Sequence, residues 1–249
     1  MRIYRCYNDS SPKVGDIVAL DDNEIQHLAA ARRIRPGDQA ILINGRGGEF
    51  AATIAESHKR ALTLRVDQIL RQKDRPAFTL RLAAAITKGA DYDDMMQRAV
   101  ELGITHFQPL FTERVAVELD PIRTDKRVER WKRLAIESLK QCERLWLPII
   151  EPPIHVDAFL TKAPEAEERR IVLRERAKGF PPLHRLVAET AYPRIPLSLL
   201  IGPEGGWTEK EFQAFDESGC SYASLGLEAV LRAETASLTA LAILLGIQL

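Results

Sequence analysis

The sequence predicts an α/β protein: a small N-terminal β-barrel followed by a larger domain built on a parallel sheet. Three observations predict it. Before Pro76, short apolar runs are divided by glycine and proline turns, the pattern of a small barrel. From Phe78 onward, strand-like and helix-like segments alternate, the pattern of parallel βαβ units. In the last fifth, Pro196 to Leu249, two strands each run out into glycine, and ligands of open α/β sheets sit beyond such carboxyl ends.

In order, Ile17–Leu20, Gln39–Ile43, Glu49–Ile54 and Ala61–Val66 are the candidate strands of the first part. Pro36-Gly37-Asp38 and Asn44-Gly45-Arg46-Gly47-Gly48 are the turns between them, and Asp22–Arg33 reads as one short helix. The polar stretch Arg71–Pro76 reads as a linker, so the expected domains are 1–72 and 76–249. In the second part Phe78–Ile86 is a continuous apolar strand, Asp91–Leu102 a helix stopped by Gly103, and Thr105–Phe111 the next strand. Thr124–Arg144 is a longer helix whose buried stripe is Trp131, Leu134, Ala135 and Ser138. Residues 151–170 read as loop and weak helix, Ile171–Glu175 as a strand, Leu183–Ala188 as a short helix.

The C-terminal unit starts with the strand Pro196–Ile201 and the glycine loop Gly202-Pro203-Glu204-Gly205-Gly206. Thr208 and Glu211 have capping-box spacing, Trp207 and Phe212 the spacing of a hydrophobic staple, and Gly219 is placed to stop the helix. The strand Tyr222–Leu225 meets Gly226, and Leu231–Ala236 opens a last helix. After Thr239 that helix is apolar almost all round and needs cover on more than one side. Either it lies deep in the domain or a second subunit covers it, and the second alternative motivates a homodimer as the expectation.

Composition excludes several classes. Apolar residues make up 45%, enough for a sizeable core, and 35 basic residues balance 35 acidic ones, so no whole-chain field draws the protein to a membrane or nucleic acid. Cys6, Cys142 and Cys220 are isolated, which fits a reducing compartment. The first residues lack an apolar signal core, and the longest apolar run, Leu238–Ile247, is too short to span a bilayer, so a soluble cytoplasmic protein is expected. Histidines and cysteines never reach metal-ligand spacing, so no metal is expected.

Two constellations carry chemistry. Glycines at 202, 205 and 206 permit positive φ and close approach of backbone to a ligand, though a plain strand-to-helix turn uses the same residues. Neither a P-loop nor a dinucleotide fingerprint is present, which disfavours a nucleotide phosphate and leaves an adenosyl ligand open. Arg232 and Glu234 stand at a helix start, as a catalytic pair or as a plain ion pair with Glu234 favoured by the helix dipole.

Taken together, Ile201-Gly202-Pro203-Glu204-Gly205-Gly206, Leu225-Gly226 and Leu231-Arg232-Ala233-Glu234-Thr235-Ala236 resemble the C-terminal signature of the RsmE family. These are SPOUT-class enzymes that methylate N3 of a uridine in 16S ribosomal RNA. The resemblance covers the chain. Met1–Arg5, His27-Leu28, Arg33–Asp38, Thr87-Lys88-Gly89, Val100–Gly103, Pro109–Arg114 and Gln141–Arg144 fall in the family's order.

It implies a PUA-like barrel for RNA, a SPOUT domain with a deep trefoil knot, and a dimer with its active site near the subunit interface. It implies S-adenosylmethionine as cofactor, with contacts at Leu200, Ile201, Gly202, Pro203, Glu204, Gly205, Leu225, Gly226 and Leu231. Arg232 is the expected stabiliser of the uracil anion, with Glu234 orienting it or receiving the N3 proton. Arg2, Arg5, Arg33, Arg35, Arg114 and Arg144 are expected to face RNA, with the assembled small ribosomal subunit as substrate. One departure is Glu228, which stands where the family has a basic residue, in a segment one residue longer. A SPOUT enzyme with a tRNA or ribose target, and a non-catalytic RNA-binding factor, are the alternatives.

Overall fold

The structure, a computed structural model, describes residues 3–29, 34–58, 61–87, 89–114, 121–162, 167–174, 179–188 and 193–246. Two compact units emerge. One is Met1–Pro76 with Ile136–Leu147, the other Ala77–Ala135 with Pro148–Leu249.

The first unit contains β1 (Tyr4–Tyr7), β2 (Ile17–Ala19), α1 (Asp22–Ala29), β3 (Gln39–Ile43), β4 (Gly48–His58) and β5 (Ala61–Gln72). They form one sheet in the order β1-β3-β4-β5-β2, with β1 parallel to β3 and the other pairs antiparallel. Three register shifts between β4 and β5 curl the sheet, as bulges do. Its inward residues, Cys6, Leu42, Phe50, Ile54 and Leu64 among them, pack against Ile25 and Leu28 of α1. The polar stretch expected as a linker continues β5 as far as Gln72.

A buried carboxylate pins the first strand. Glu49 accepts from Arg5 (2.6 Å) and, through both oxygens, from Arg71. The Arg71 bonds are the largest influence on Glu49; burial opposes them, the Arg5 bond adds to them, and the net pKa lies below the ordinary value. A carboxylate with a lowered folded pKa contributes stability above its unfolded value, about 4.3, and loses it as pH falls through the folded value. Thermal melts from pH 7 to pH 3 should therefore show a falling midpoint, and Glu49→Gln should flatten the part of that fall below pH 4.3.

The second unit holds β6 (Leu80–Ala85), α2 (Asp91–Leu102), β7 (His106–Phe111), α3 (Pro121–Cys142, as far as Ala135), β8 (Ile149–Ile150), β9 (Ile154–His155), α4 (Val156–Thr161), β10 (Arg169–Leu173), α5 (Leu183–Ala188), β11 (Leu197–Ile201), α6 (Glu209–Glu217), β12 (Ser221–Ala223) and α7 (Ala233–Gly246). All its strand pairs are parallel, in the order β12-β10-β11-β6-β7-β8, with β9 also on β7. Parallel sheets need cover on both faces. On one face Tyr92, Phe107 and Trp131 meet ring to ring, and Tyr92 Oη donates to the Ala84 carbonyl (3.1 Å). On the other, Ala83, Leu110, Val172 and Leu200 pack under α4 and α6 through Phe159, Trp207 and Phe215.

Local signals place the helix ends. Gly103 takes φ +114° after α2. The capping box of α6 is formed: Glu211 N–H donates to Thr208 Oγ1 (3.2 Å) and Thr208 N–H to Glu211 Oε2 (2.7 Å). Past its end, Cys220 N–H reaches the Phe215 carbonyl (3.0 Å) and Gly219 N–H that of Asp216 (3.1 Å), the two bonds of a Schellman motif with Gly219 at φ +67°. The staple differs from expectation. The ring edge-on to Trp207 is that of Phe215 (4.9 Å), whereas Phe212 faces Tyr222.

At the amino ends of the strands, Arg81, Ser198 and Arg170 lie side by side in register, and buried Glu168 bonds all three. No described helix is long and apolar enough to cross a membrane.

Candidate active site

A cleft of about 290 Å³ opens at the carboxyl ends of the strands, near the lower bound of about 300 Å³ common for small-molecule sites. Leu173 and Arg174 reach it from β10, Ile201 to Trp207 from β11, Arg114 from just past β7, and Val230, Leu231, Ala233 and Ala236 from the approach to α7 and its first turn. Separate stretches of chain thus converge on one space.

The glycine loop is tight. Gly206 N–H donates to the Pro203 carbonyl (2.8 Å), and Gly206 sits at φ +71°. The amides of Glu204 and Gly205 have no partner among the described residues. Gly202 has a packing reason in addition to the ligand approach expected of it. A Cβ there would meet the Trp207 indole at 2.9 Å, so the glycine makes room for a side chain. Trp207 Nε1 is buried beneath it without a hydrogen-bond partner.

Glu211 ties the walls together. Its Oε2 closes the capping box, and its Oε1 accepts the Glu113 amide (3.0 Å) beside Arg114. Arg114 in turn donates from Nη1 to the Gly205 carbonyl. On the β10 side the Arg174 guanidinium lies 4.0 Å from the Phe212 ring centroid, 5.3 Å from Phe180 and 5.9 Å from Tyr222. Burial, then the Asp216 carboxylate that accepts the Tyr222 hydroxyl (2.6 Å), keeps that phenol protonated. Burial pushes the Cys220 thiol up to about 11 and, with Glu24 beside it, the Cys6 thiol to about 12, which removes both as nucleophiles near neutral pH.

Of the expected cofactor contacts, Ile201, Gly202, Pro203, Glu204, Gly205 and Leu231 line the cleft. Leu200, Leu225 and Gly226 are not among its lining residues. Leu200 alternates to the other face of β11 and is fully buried in the core, Leu225 is buried, and Gly226 takes φ +72° beside Pro182. Arg232 stands between the lining residues Leu231 and Ala233, with its side chain 76% exposed and Nη1 4.0 Å from Glu234 Oε1. Its carbonyl accepts the Ala236 amide and starts α7.

Sequence reasoning missed Leu173, Arg174, Trp207 and Phe212 as cleft residues. The carboxyl-end rule applied to the two glycine-bearing strands would have found the first two had it been applied to Ile171–Glu175 as well.

The arginines expected to face RNA are scattered. Arg2 and Arg33 lie outside the described residues. Arg35 and Arg144 are exposed. Arg5 is turned inward onto Glu49, and Arg114 belongs to the cleft wall. Along α3, Arg130 pairs with Asp93 (2.8 Å), Arg127 lies over Trp131 and Lys132 pairs with Glu129 (2.9 Å), as an ion-paired helix face would.

Known proteins share this arrangement. The ribosomal RNA small subunit methyltransferase E of Synechocystis sp. is 31% identical over 226 residues, 90% of this chain and 71% of that protein. The Rickettsia conorii protein of the same name is 30% identical over 97% of this chain and 95% of its own length. The family model for an RNA methyltransferase domain matches residues 73–245, and that for an RNA methyltransferase PUA domain matches residues 20–67. The chain belongs to the RsmE family of RNA methyltransferases.

Its first unit is therefore the family's PUA-like β-sheet domain and its second the parallel-sheet methyltransferase domain. Two solved structures carry the same fold over 99% of this RsmE-family chain and 98% of their own. One is the Neisseria gonorrhoeae ribosomal RNA small subunit methyltransferase E bound to S-adenosyl methionine (TM-score 0.85, 29% identity). The other is from Legionella pneumophila, in complex with the bound cofactor SAM (TM-score 0.88, 30% identity).

Proposed function

We propose that this chain is an S-adenosylmethionine-dependent methyltransferase that acts on N3 of a uridine in the 16S rRNA of the small ribosomal subunit. The observation that carries the reading is the convergence of the Gly202–Gly206 loop, the end of β10 and the start of α7 on one cleft. The cleft suits an adenosyl ligand. Leu173, Ile201 and Leu231 supply apolar walls, and the unpartnered amides of Glu204 and Gly205 supply donors. When bound, S-adenosylmethionine supplies an electrophilic methyl on a sulfonium.

The chain's own residues must deal with the proton on uridine N3, which blocks nucleophilic attack while it is there. Arg232, exposed between the cleft residues Leu231 and Ala233, is the proposed stabiliser of the uracil anion. Glu234 orients that guanidinium or takes the proton. Arg35 and Arg144, exposed in the first unit, are candidates for holding phosphates of the RNA, as are Arg2 and Arg33.

The expected trefoil knot and homodimer belong to the same reading. The placement of β12 beyond β10 at the sheet edge, followed by a return of the chain to α2 and α5 through α7, supports the knot. The part-exposed apolar residues Leu238, Ile243 and Leu245 of α7 support a partner subunit that covers them. A cytoplasmic setting, where assembled subunits are found, completes it.

The test is incubation with labelled methyl donor and small ribosomal subunits lacking the modification, followed by nucleoside analysis. Label in 3-methyluridine is the expected result. Label in a tRNA or a ribose methyl, or none with binding of RNA alone, would replace the reading. Sedimentation at twice 28.0 kDa is expected, and a clean 28.0 kDa species at micromolar protein would remove the dimer.

A further inference from the structure

Arg174 has no role in the account so far, yet it is built into the cleft. Its backbone N–H is fixed to the Ala223 carbonyl of β12 (2.8 Å), and its guanidinium lies against three aromatic faces, closest to Phe212 at 4.0 Å. Aromatic faces hold the cation but accept none of its in-plane N–H donors. No carboxylate among the described residues pairs with it. Arg114, the other guanidinium of the cleft, already donates to the Gly205 carbonyl. A half-buried arginine with no acceptor among the described residues therefore lines the cavity. Arginine stays protonated, so the acceptor it fits is an anion or a strong oxygen acceptor, and a carboxylate matches its fork in two bonds.

We infer that Arg174 is the carboxylate-binding residue of the cleft and fixes the amino-acid arm of the cofactor, an inference that rests on the S-adenosylmethionine reading above. The carboxylate is the one anionic group on that molecule. The ammonium on the same carbon and the sulfonium further along the arm are both cationic, so the carboxylate is the group of the ligand that a guanidinium attracts. Phe180, Phe212 and Tyr222 surround the guanidinium, and α6 and β12 hold two of those rings. The residue is thus a specificity determinant between adenosyl sulfonium ligands that carry the carboxylate and those that lack it.

The test compares two ligands that differ by the carboxylate alone, S-adenosylmethionine and decarboxylated S-adenosylmethionine, titrated calorimetrically into the full-length protein. The wild type is expected to favour the first by about 10–100-fold, the range of a bond to a charged group. R174M should abolish that preference and leave the affinity for the decarboxylated form within about twofold, while R174K, which keeps the charge and loses the fork, should keep part of it. Equal weakening of both ligands by R174M would assign Arg174 to packing and overturn the inference, as would an undiminished preference. If the wild type binds neither ligand, the cofactor reading itself fails. Thermal melts of both variants check that the aromatic cluster still folds.

Discussion

Lys140→Ala is expected to destabilise the first unit by about 3–5 kcal/mol, the cost of stranding a buried charge. Lys140 and Glu24 are each 5% exposed, and their Nζ···Oε1 distance is 2.7 Å. The same Nζ reaches Glu137 at 2.8 Å, and the second oxygen of Glu24 accepts the Tyr7 amide at 2.9 Å. Removing the lysine deprives the buried Glu24 side chain, beside the fully buried Cys6, of its Lys140 partner. Burial by itself would lower the lysine's pKa, but Glu24 and Glu137 outweigh it and leave the pKa raised. A lysine with a raised folded pKa gives its full contribution below the unfolded value, about 10.4, and loses it as pH climbs through the folded one. Urea melts at pH 7 should therefore show the whole loss in Lys140→Ala, and on the alkaline side the wild type should lose the lysine's contribution only above about pH 10.4. The double variant Glu24→Gln/Lys140→Met keeps an acceptor for Tyr7 and removes both charges, so it should recover most of the loss. A single variant within 1 kcal/mol of wild type would mean that water reaches the pair.

How much of this was legible depended on distance along the chain. The Thr208–Glu211 box, the Gly219 and Gly103 helix stops and the strand-helix alternation are local, and the residues that decide each lie within one turn of one another. Strand β1 was missed because four residues alternate too briefly to signal anything, and its partner β3 lies 36 positions on. The inward turn of Lys140, a charged residue outside the apolar stripe read for the helix Thr124–Arg144, is decided by Glu24 at a separation of 116 residues. Arg5 likewise looked free for RNA until Glu49 was seen beside it. In the site, the glycines were readable, as was the positive φ of Gly206, but the packing reason for Gly202 was not. Gly202 is small because an indole five residues later folds back over it, and only packing reveals that. Arg174 was invisible for the same cause: its three rings come from different stretches of chain.

Arg232→Ala should lower methyl transfer by about 10²–10³-fold, the usual cost of deleting one fixed stabiliser of transition-state negative charge. The prediction separates function from fold because the side chain is 76% exposed and its nearest charged partner, Glu234, is at 4.0 Å, the outer limit of an ion pair. A surface group so loosely held contributes within about 0.5 kcal/mol to stability, so the melting temperature should not move. Cofactor affinity should not move either, since Leu231 and Ala233 line the cleft on either side and the guanidinium does not. A pure loss of turnover, with normal melting and normal cofactor binding, would place the charge at the uracil. The partner of Arg232 then divides the two roles left to Glu234. Glu234→Gln keeps an oxygen to orient the guanidinium but takes a proton far less readily. If orientation is its task, most turnover survives. If it receives the N3 proton, the variant falls as far as Arg232→Ala, and the double variant falls little further, because the two groups act as a unit. Turnover within a few-fold of wild type in Arg232→Ala would move the anion-stabilising role elsewhere in the cleft, with Arg114 the next guanidinium to replace.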